Sequence, residues 1–423
     1  MSNSALLDRR HRLIGQATLF YQSALEIVRG EGVYLFDESG RRYIDMYNNV
    51  PCVGHANPHV VSAVAKQMAT LNVHSRYLHN GIIDFAERLV AYHHDKLEQV
   101  VFACSGTEAS EIALMMARYA TGGKGIICSD ATYHGNSTEV AKMNLRPIAD
   151  PHFRSISYPQ TYRPLIVDQS DEELTQTYLT KVQSAIDDFK ANNIPFAGLF
   201  LCSILANEGL PDIPAGFMQQ ATDLVHKAGG LIIADEVQAG YCRSGNWWGY
   251  ETSKFTPDIV TMGKPVGNGM PVSAVVASTE LVTKFRKETR YFNTFASSPV
   301  QAAAGMAVLD VIEEDDLLDS SAKIGAYLRR ELTQMQSECE SIGDVRGCGL
   351  FIGVEWVSNF EEKTADRAGA INVANRLKEK GFLLSNAGEF GNVIKIRPPL
   401  VFKQEHADNF LTAFAEVLAE NKA

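Results

Sequence analysis

Short apolar runs alternate with helical stretches between residues 99 and 277, and this alternation constrains the fold more than any other feature of the sequence. The apolar runs are continuous, as in strands that are buried on both faces. We predict strands at residues 99–104, 125–128, 196–202, 230–235, 258–262 and 272–277. Helices are predicted between several of them, for example at 108–120, 171–192 and 216–227. The pattern therefore predicts an α/β fold with a mostly parallel sheet that is covered on both faces.

The two ends of the chain follow different patterns. Residues 1–30 are predicted to be helical, and residues 32–45 have two alternating runs around a glycine-containing turn, which predicts a β-hairpin. After residue 298, an amphipathic stretch at 300–336 precedes a glycine-rich strand at 345–356, two short strands and a last helix, which predicts an α+β domain. We therefore predict three segments: 1–57 as the N-terminal part of a small domain, 58–298 as the large domain and 299–423 as the C-terminal part of the small domain.

Composition limits the partners of the protein. A net charge of −11 over 423 residues argues against nucleic acid as a partner. Because the protein as a whole repels anions, an anionic substrate would have to be held by a local basic pocket. Seven cysteines without CxxC pairs predict reduced thiols in a cytoplasmic protein and no metal site. No run approaches the roughly 20 apolar residues that span a bilayer. Residues 1–16 lack the apolar core of a signal peptide. We expect neither a membrane nor a nucleic acid as partner.

One lysine lies in an unusual setting directly after the predicted strand at 258–262. Lys264 is surrounded by glycines, prolines and small apolar residues, and Gly267 and Gly269 allow the backbone to approach a ligand closely. A desolvated lysine has a lowered pKa and becomes an amine nucleophile that can form a Schiff base. Taken alone, Lys264 is also compatible with an ordinary turn after a strand.

Two more sites of interest follow predicted strands. Asp235 ends the strand at 230–235, where a buried carboxylate can meet a cationic cofactor atom such as a pyridinium nitrogen. An N-cap of a following helix is the alternative. Ser105, Gly106 and Thr107 lie between the strand at 99–104 and a predicted helix, and a helix N-terminus suits a phosphate group. Serine and threonine are also common N-caps, so this motif is weak by itself.

Five motifs in this order resemble those of the class III aminotransferases, a family that depends on pyridoxal 5'-phosphate (PLP) and has the aspartate-aminotransferase type of fold. The motifs are Ser105-Gly106-Thr107-Glu108-Ala109, Thr132-Tyr133-His134-Gly135, Asp235-Glu236-Val237-Gln238-Ala239-Gly240, Gly263-Lys264 and Asn293-Thr294-Phe295. The resemblance covers nearly the whole chain. It implies a PLP-dependent enzyme whose large domain has a mostly parallel seven-stranded sheet, beside a smaller α+β domain.

The resemblance also implies roles for single residues. Lys264 resembles the Schiff-base lysine, Asp235 the partner of the pyridine nitrogen, and Glu208 an acidic residue near the coenzyme, although Gly209 replaces the usual following proline. The remaining coenzyme contacts implied are Ser105, Gly106, Thr107, Tyr133, His134, Gln238 and Thr294. Tyr133 resembles the ring that stacks on the coenzyme, and Gln238 the partner of its phenolic oxygen. Thr294 resembles a residue that reaches the phosphate of a second subunit, which implies a homodimer or a dimer of dimers.

A narrower resemblance concerns the reaction. Residues 47–50, 53–55, 71–79, 262–265, 267–269 and 291–294 resemble the phospho-lyase branch of the family. That branch implies a lyase that eliminates ammonia, and phosphate where present, from a small phosphorylated or phosphonated 2-aminoethyl compound to give an aldehyde. The alternatives are an ω-amino acid or amine transaminase that uses a 2-oxo acid, and a PLP-binding protein without turnover. Intact Lys264, Asp235, Tyr133 and Gln238 argue against the last.

Three residues are candidates for binding the substrate. Arg397 resembles the arginine that holds a substrate carboxylate in many family members. Arg76 and His55 are further candidates for contacts with a substrate anion. Arg76 is equally compatible with a structural ion pair, and His55 with a role in ordering its own loop.

Overall fold

The computed structural model describes residues 3–16, 18–145 and 149–421. Residues 1–2, 17, 146–148 and 422–423, which belong to the three predicted segments, lie outside the described residues. The strands, in chain order, are β1 Ile27–Glu31, β2 Tyr34–Asp37, β3 Arg42–Asp45, β4 Gln99–Ala103, β5 Gly125–Ser129, β6 Phe153–Ile156, β7 Phe196–Cys202, β8 Leu231–Asp235, β9 Ile259–Met262, β10 Ser273–Ala277, β11 Ile342–Cys348, β12 Phe351–Asn359, β13 Thr364–Ala365, β14 Phe382–Leu383, β15 Ser385–Ala387 and β16 Val393–Ile396.

The helices surround these strands. They are α1 Asn3–Ile14, α2 Pro58–Thr70, α3 Asn80–Ala91, α4 Gly106–Thr121, α5 Asp171–Ala191, α6 Phe217–Lys227, α7 Gly249–Thr252, α8 Thr279–Thr289, α9 Pro299–Glu314, α10 Leu317–Gln336, α11 Arg367–Glu379 and α12 Gln404–Asn421, with 3-10 turns at Val140–Met143 and Lys264–Gly267. Within the described ranges, no helix is both long and apolar enough to cross a bilayer.

A seven-stranded sheet forms the centre of the fold, in the order β4-β10-β9-β8-β7-β5-β6. Strand β10 is antiparallel to both its neighbours, and the remaining pairs are parallel. The six strands predicted from the apolar runs are all present. Strands β5, β9 and β10 are buried along their whole length, because helices cover both faces of the sheet.

Strand β6 was not predicted, because it lacks the continuous apolar run of the others. It lies at the edge of the sheet, and Arg154 and Ser155 in its middle are partly or fully exposed. An edge strand pairs on one side only and tolerates polar residues. Its short sequence therefore does not distinguish it from a loop.

Two smaller sheets contain the chain ends. One has the order β1-β2-β3-β14, so that a strand near the C-terminus pairs with the predicted hairpin. The other has the order β11-β12-β16-β15, with β13 against β12. The three domain boundaries stay a prediction, although these pairings bring residues before 57 and after 298 into one sheet.

Two local predictions are wrong in detail, and a third region is more finely divided than the sequence pattern indicated. Residues 1–30 contain strand β1 as well as a helix. The single strand predicted at 345–356 is a hairpin of β11 and β12 that turns at Gly349, whose φ is +51°. The stretch at 300–336 is two helices, α9 and α10, separated at Asp315 and Asp316. Asp316 adopts a left-handed conformation with φ +48°, which ends the first helix without a glycine or proline to mark it.

Candidate active site

The carboxyl ends of β7, β8 and β9 place the candidate site. Cys202 of β7 pairs with Asp235 of β8, which pairs with Thr261 of β9. Lys264 follows β9 by two residues and begins the 3-10 turn. Ligands of open α/β sheets bind outside the carboxyl ends of the strands. Asp235 and Lys264 therefore lie at the edge of the sheet where a ligand is expected.

Lys264 is largely enclosed by protein. Burial lowers the pKa of its ammonium group below the usual range, while the negative charge of Asp235 opposes this change. A lowered pKa leaves more of the amine neutral, and the neutral amine is the form that attacks a carbonyl or takes up a proton. Gly263 allows the turn to lie against helix α4, because a Cβ there would be 3.2 Å from the Gly106 backbone. The site thus has a nucleophilic amine held close to a helix N-terminus.

Asp235 is 5% exposed and both its oxygens have partners. Oδ2 lies 2.6 Å from Nδ1 of His134, and Oδ1 accepts a hydrogen bond from the backbone N–H of Val237 at 2.9 Å. The contact with Val237 is the kind that an N-cap residue makes, which was the alternative role for Asp235. The chain after Asp235 forms turns, however, and no helix begins there. His134 is fixed in turn, since its ring stacks on Phe200 and its Nε2 lies 3.0 Å from the Thr132 hydroxyl.

The N-terminus of α4 faces the same edge of the sheet. Ser105 is its N-cap: the hydroxyl accepts a hydrogen bond from the Glu108 N–H, and the Glu108 carboxylate accepts one from the Ser105 N–H. The first amides of a helix have no acceptor within the helix and suit an anion. Gly135 lies directly on Thr107, where a Cβ would be 2.6 Å from Oγ1. Gly135 therefore leaves space next to the N-terminus of α4, and the side chain of any other residue would occupy it.

These residues fit PLP. The first amides of α4 and the space beside Gly135 suit its phosphate. Asp235 is a buried carboxylate suited to a protonated ring nitrogen, and Lys264 is an enclosed amine suited to a Schiff base. His134 lies beneath Asp235 and orients it, so its predicted contact with the coenzyme is indirect in this arrangement.

A chain of side-chain contacts fixes the Gln238 amide beside the site. Arg397 donates from Nη1 to Oε1 of Gln238, which assigns the other end of the amide as a donor. Nε2 of Gln238 donates to Oδ1 of Asn207 at 3.1 Å, and Nδ2 of Asn207 donates to the Tyr133 carbonyl at 3.1 Å. The Tyr133 ring itself is 42% exposed and lines the opening of the site. Gln238 therefore keeps one amide N–H available for a further acceptor.

Glu208 is buried and only half satisfied. Its Oε1 accepts a hydrogen bond from the Ser129 hydroxyl, and Oε2 has no partner among the described residues. Gly209, which stands where the family has a proline, has φ +103° and packs against Val393 of β16. Arg346 holds this turn by donating from Nε to the Gly209 carbonyl at 3.0 Å. A buried carboxylate oxygen without a partner is costly, which points to a ligand contact.

Comparison with known proteins decides the family. A model of the class-III aminotransferase family matches residues 20–418. The chain belongs to the class-III aminotransferase family. It is therefore an enzyme that uses PLP, and the fold, the family and the coenzyme predicted from the sequence are confirmed.

Several relatives of this class-III aminotransferase match over almost their whole length. An alanine–glyoxylate aminotransferase 2-like protein of Drosophila melanogaster is 39% identical over 99% of this chain and 87% of that protein. Ethanolamine-phosphate phospho-lyase homolog 1 of Caenorhabditis elegans is 33% identical over 99% of this chain and 94% of that protein. A phospholyase from Arthrobacter, solved in complex with phosphoethanolamine, is 38% identical, covers 98% of this chain and 99% of its own, and superposes with a TM-score of 0.95.

Three predicted site residues of this class-III aminotransferase, described next, have no contact with Lys264 in the single chain. Arg76 is exposed, with its guanidinium 4.3 Å from the centre of the Phe292 ring. Thr294 is also exposed on the neighbouring loop. His55 pairs with the buried carboxylate of Asp45 at 2.7 Å, which favours the loop-ordering interpretation. The roles of these residues stay predictions.

Two residues of the site were missed. Asn207 links Gln238 to Tyr133, and its position next to Glu208, in the loop after the predicted strand at 196–202, is a signal that could have found it. Lys395 is buried in the wall of the site. It precedes Arg397 by two residues in a strand, so alternation places both side chains on one face.

Proposed function

We propose that this enzyme is a lyase that eliminates ammonia, and phosphate where present, from a small phosphorylated or phosphonated 2-aminoethyl compound to give an aldehyde. The departing group, phosphate in a phosphorylated compound or hydroxide in a hydroxylated phosphonate, leaves with its electron pair from the carbon next to the amine-bearing carbon. Water then supplies the aldehyde oxygen as ammonia is released. The observation that carries the proposal is a pair of buried basic side chains in the wall of the site, Lys395 of β16 and Arg397 directly after this strand. In a chain with a net charge of −11, two buried cations beside Lys264 match a dianionic phosphate or phosphonate. The Arthrobacter relative with bound phosphoethanolamine supports the same substrate class.

The residues have distinct tasks in this reaction. PLP, when bound, supplies the electron sink that stabilises negative charge on the carbon next to the substrate nitrogen. Lys264 takes the proton from that carbon, and its lowered pKa matches a base that works near neutral pH. Asp235 keeps the proton on the coenzyme's ring nitrogen. Positive charge on β16 stabilises the oxygens of the departing group as negative charge develops there.

A transaminase that uses a 2-oxo acid is the second candidate, supported by the aminotransferase relative at 39% identity. Both reactions begin when Lys264 removes the same proton. They differ in whether a group then leaves from the neighbouring carbon or a proton returns at the coenzyme. Arg397, which the sequence assigns to a substrate carboxylate, would serve an amino acid substrate as well as a phosphorylated one.

Product analysis separates the two reactions. The enzyme is incubated with a panel of amines and phosphorylated or phosphonated amines, with and without pyruvate or 2-oxoglutarate, and ammonia, phosphate and aldehyde are measured. We expect ammonia and aldehyde from a phosphorylated or phosphonated aminoethyl compound without any 2-oxo acid. A strict requirement for the 2-oxo acid would replace the lyase with the transaminase.

We also propose that the active unit is a homodimer or a dimer of dimers. The loops at residues 71–79 and 290–298 contact one another through the rings of His74 and Phe292. Together they expose large apolar side chains that one chain leaves uncovered: Leu71, Tyr77, Leu78, Phe292 and Phe295. Exposed apolar patches of this kind mark interfaces, and Thr294 lies among them. A second copy that covers this surface would bring Thr294 and Arg76 close to its own coenzyme.

We propose a cytoplasmic location, because all seven cysteines are free and most are buried. Burial raises the pKa of Cys52 and of Cys128 to about 12, so these thiols stay protonated and unreactive. Fractionation of cells followed by immunodetection tests the location. Recovery in an organelle fraction would contradict it.

A further inference from the structure

Two buried cations in the wall of the site differ in how they are bound. Lys395 lies in β16 and Arg397 follows this strand directly, so their side chains alternate to the same side. Arg397 contacts Gln238 there, and Lys395 lies near Glu208. Each is 4% exposed. Burying a charge without partners costs free energy, so the partners of each group indicate its task.

Arg397 makes side-chain hydrogen bonds to the protein through its Nε and Nη1 groups. Its Nε donates to the Tyr47 carbonyl at 2.8 Å, and Nη1 donates to Oε1 of Gln238. Its guanidinium carbon lies 4.8 Å from the centre of the Tyr47 ring, and its backbone N–H donates to the Met46 carbonyl at 2.7 Å. These contacts clamp Arg397 between the loop after β3 and the Gln238 amide. A substrate anion would have to displace these contacts to bind at the Nε and Nη1 groups of Arg397.

Lys395 is not committed in this way. Throughout the part of the chain that the structure describes, no carboxylate lies within ion-pair distance of its Nζ and no oxygen accepts a hydrogen bond from it. The nearest aromatic ring, that of Phe351, is 6.0 Å away. Lys395 is nevertheless close enough to Arg397, Glu208 and Lys264 to interact with each of their charges. A buried amine without an acceptor, next to the Schiff-base lysine, is placed to receive a ligand.

We propose that Lys395 binds the phosphate or phosphonate oxygens of the substrate and that Arg397 is a positioning residue for Gln238. This assignment rests on the proposed function and names the residue that selects its substrate class. It also replaces the expectation that Arg397 holds the substrate anion. Lys395 lies near enough to Lys264 for their charges to interact, so a short aminoethyl compound with an anionic end is matched to this pair of amines.

The charge state of Lys395 links substrate binding to pH. Burial lowers the pKa of Lys395 well below its usual range; the positive charges of Arg397 and Lys264 add to this effect, and the negative charge of Glu208 opposes it. Among the described residues, the Cys202 thiol also opposes the lowering. A bound dianion favours the protonated amine and raises its pKa. Binding should therefore take up a proton whenever the pH lies above the pKa of the free enzyme.

Sulfate is a suitable probe, because it is a tetrahedral dianion that does not itself titrate near neutral pH. Its binding to the PLP-loaded enzyme is measured by calorimetry in two buffers of different ionisation enthalpy, which gives affinity and proton uptake together. The visible absorbance of the coenzyme is recorded in the same titration. It reports protonation at the link between the coenzyme and Lys264, so proton uptake there can be separated from proton uptake at Lys395. Melting curves confirm that each variant is folded.

Four variants give distinct expectations. Lys395→Met should weaken sulfate binding by about 10- to 100-fold, the loss expected for a charge-assisted hydrogen bond. Lys395→Arg should bind sulfate but without proton uptake, because arginine is always charged. Arg397→Lys should change sulfate affinity little while shifting the pH dependence of the coenzyme absorbance. Lys323→Met, at an exposed position on α10, should behave as wild type. Equal sulfate affinity in Lys395→Met and wild type would overturn the assignment, as would the absence of sulfate binding to wild type.

The same variants keep this inference separate from the proposed function. If the enzyme is a lyase, Lys395→Met should raise KM for a phosphorylated amine about 10-fold or more while leaving KM for an uncharged amine unchanged. If wild type needs a 2-oxo acid but sulfate binding still depends on Lys395, the lyase proposal fails and the anion site stands. If the enzyme is a lyase but sulfate affinity is the same in wild type and Lys395→Met, the proposed function stands and the assignment of Lys395 fails.

Discussion

Lys264 is the residue on which the reaction depends most directly. It is enclosed beside Asp235, and burial lowers its pKa, so a neutral amine is available to form the Schiff base and to move the substrate proton. We expect Lys264→Ala to lower turnover by roughly 10³-fold or more. Borohydride reduction of wild type followed by peptide mapping should label Lys264. Lys323→Ala serves as the control, and label on any other lysine would refute the assignment.

Asp235 provides the second test at the scale of single residues. Asparagine can replace its hydrogen bond with His134 but supplies no negative charge to a ring nitrogen. We expect Asp235→Asn to lower kcat by about 100-fold, as for other losses of electrostatic stabilisation. Coenzyme retention after dialysis should change less, because the first amides of α4 remain. Turnover close to wild type would make Asp235 a turn-capping residue only.

Residues whose tasks depend on local sequence could be predicted, and residues whose tasks depend on distant partners could not. Lys264 and Asp235 each end or follow an apolar strand, so their place at the edge of the sheet was visible in the sequence. The division of tasks between Lys395 and Arg397 depends on Tyr47 and Gln238, which lie far away along the chain. Nothing local shows that Arg397 has protein acceptors and that Lys395 has none among the described residues.

At the scale of elements, helix α4 holds its first turn against the site through its N-cap. Ser105 has the cap's hydrogen bond, and the sequence assigns the same residue to the phosphate. Ser170 caps α5 through an equivalent capping box, with the Glu173 carboxylate. The two serines thus form a matched pair, because only one of the helices begins at the candidate site.

We expect Ser105→Ala and Ser170→Ala each to lower the free energy of unfolding by about 1 kcal/mol, the usual cost of an N-cap. Ser105→Ala should in addition weaken PLP binding about 5-fold, through loss of one neutral hydrogen bond. Chemical denaturation measures the first effect and fluorescence titration of the apoenzyme with PLP the second. Equal PLP affinity in the two variants would show that Ser105 is an N-cap only.

The strands also show which elements a sequence pattern predicts and which it misses. The central strands were predicted because burial on both faces requires continuous apolar residues. Strand β6 was missed because it pairs on one side only and exposes Ser155. The hairpin of β11 and β12 was predicted as one strand because its glycines were assigned to the strand itself. Gly349 in fact forms the turn, with a positive φ that glycine adopts readily.

At the scale of the whole molecule, the surface formed by loops 71–79 and 290–298 is incomplete in a single chain. Leu78 is fully exposed and Phe295 is 75% exposed, next to Thr294 and Arg76. A second copy related by a twofold axis would cover this surface, since C2 dimers are the commonest assembly. Thr294 would then reach the partner's coenzyme, as the family resemblance implies.

Light scattering coupled to gel filtration should therefore give a mass of two or four chains. We expect Phe295→Asp to shift the protein toward monomer, because it places a charge in an apolar interface, and to weaken PLP retention at the same time. Phe360→Asp is the matched control: Phe360 is an exposed aromatic residue at the end of the β12 region, away from these loops, and its change should affect neither property. If assembly is needed to complete the site, activity should rise with protein concentration in Phe295→Asp and approach wild type as dimers form. A wild-type monomer with full activity would refute both the interface and the role of Thr294.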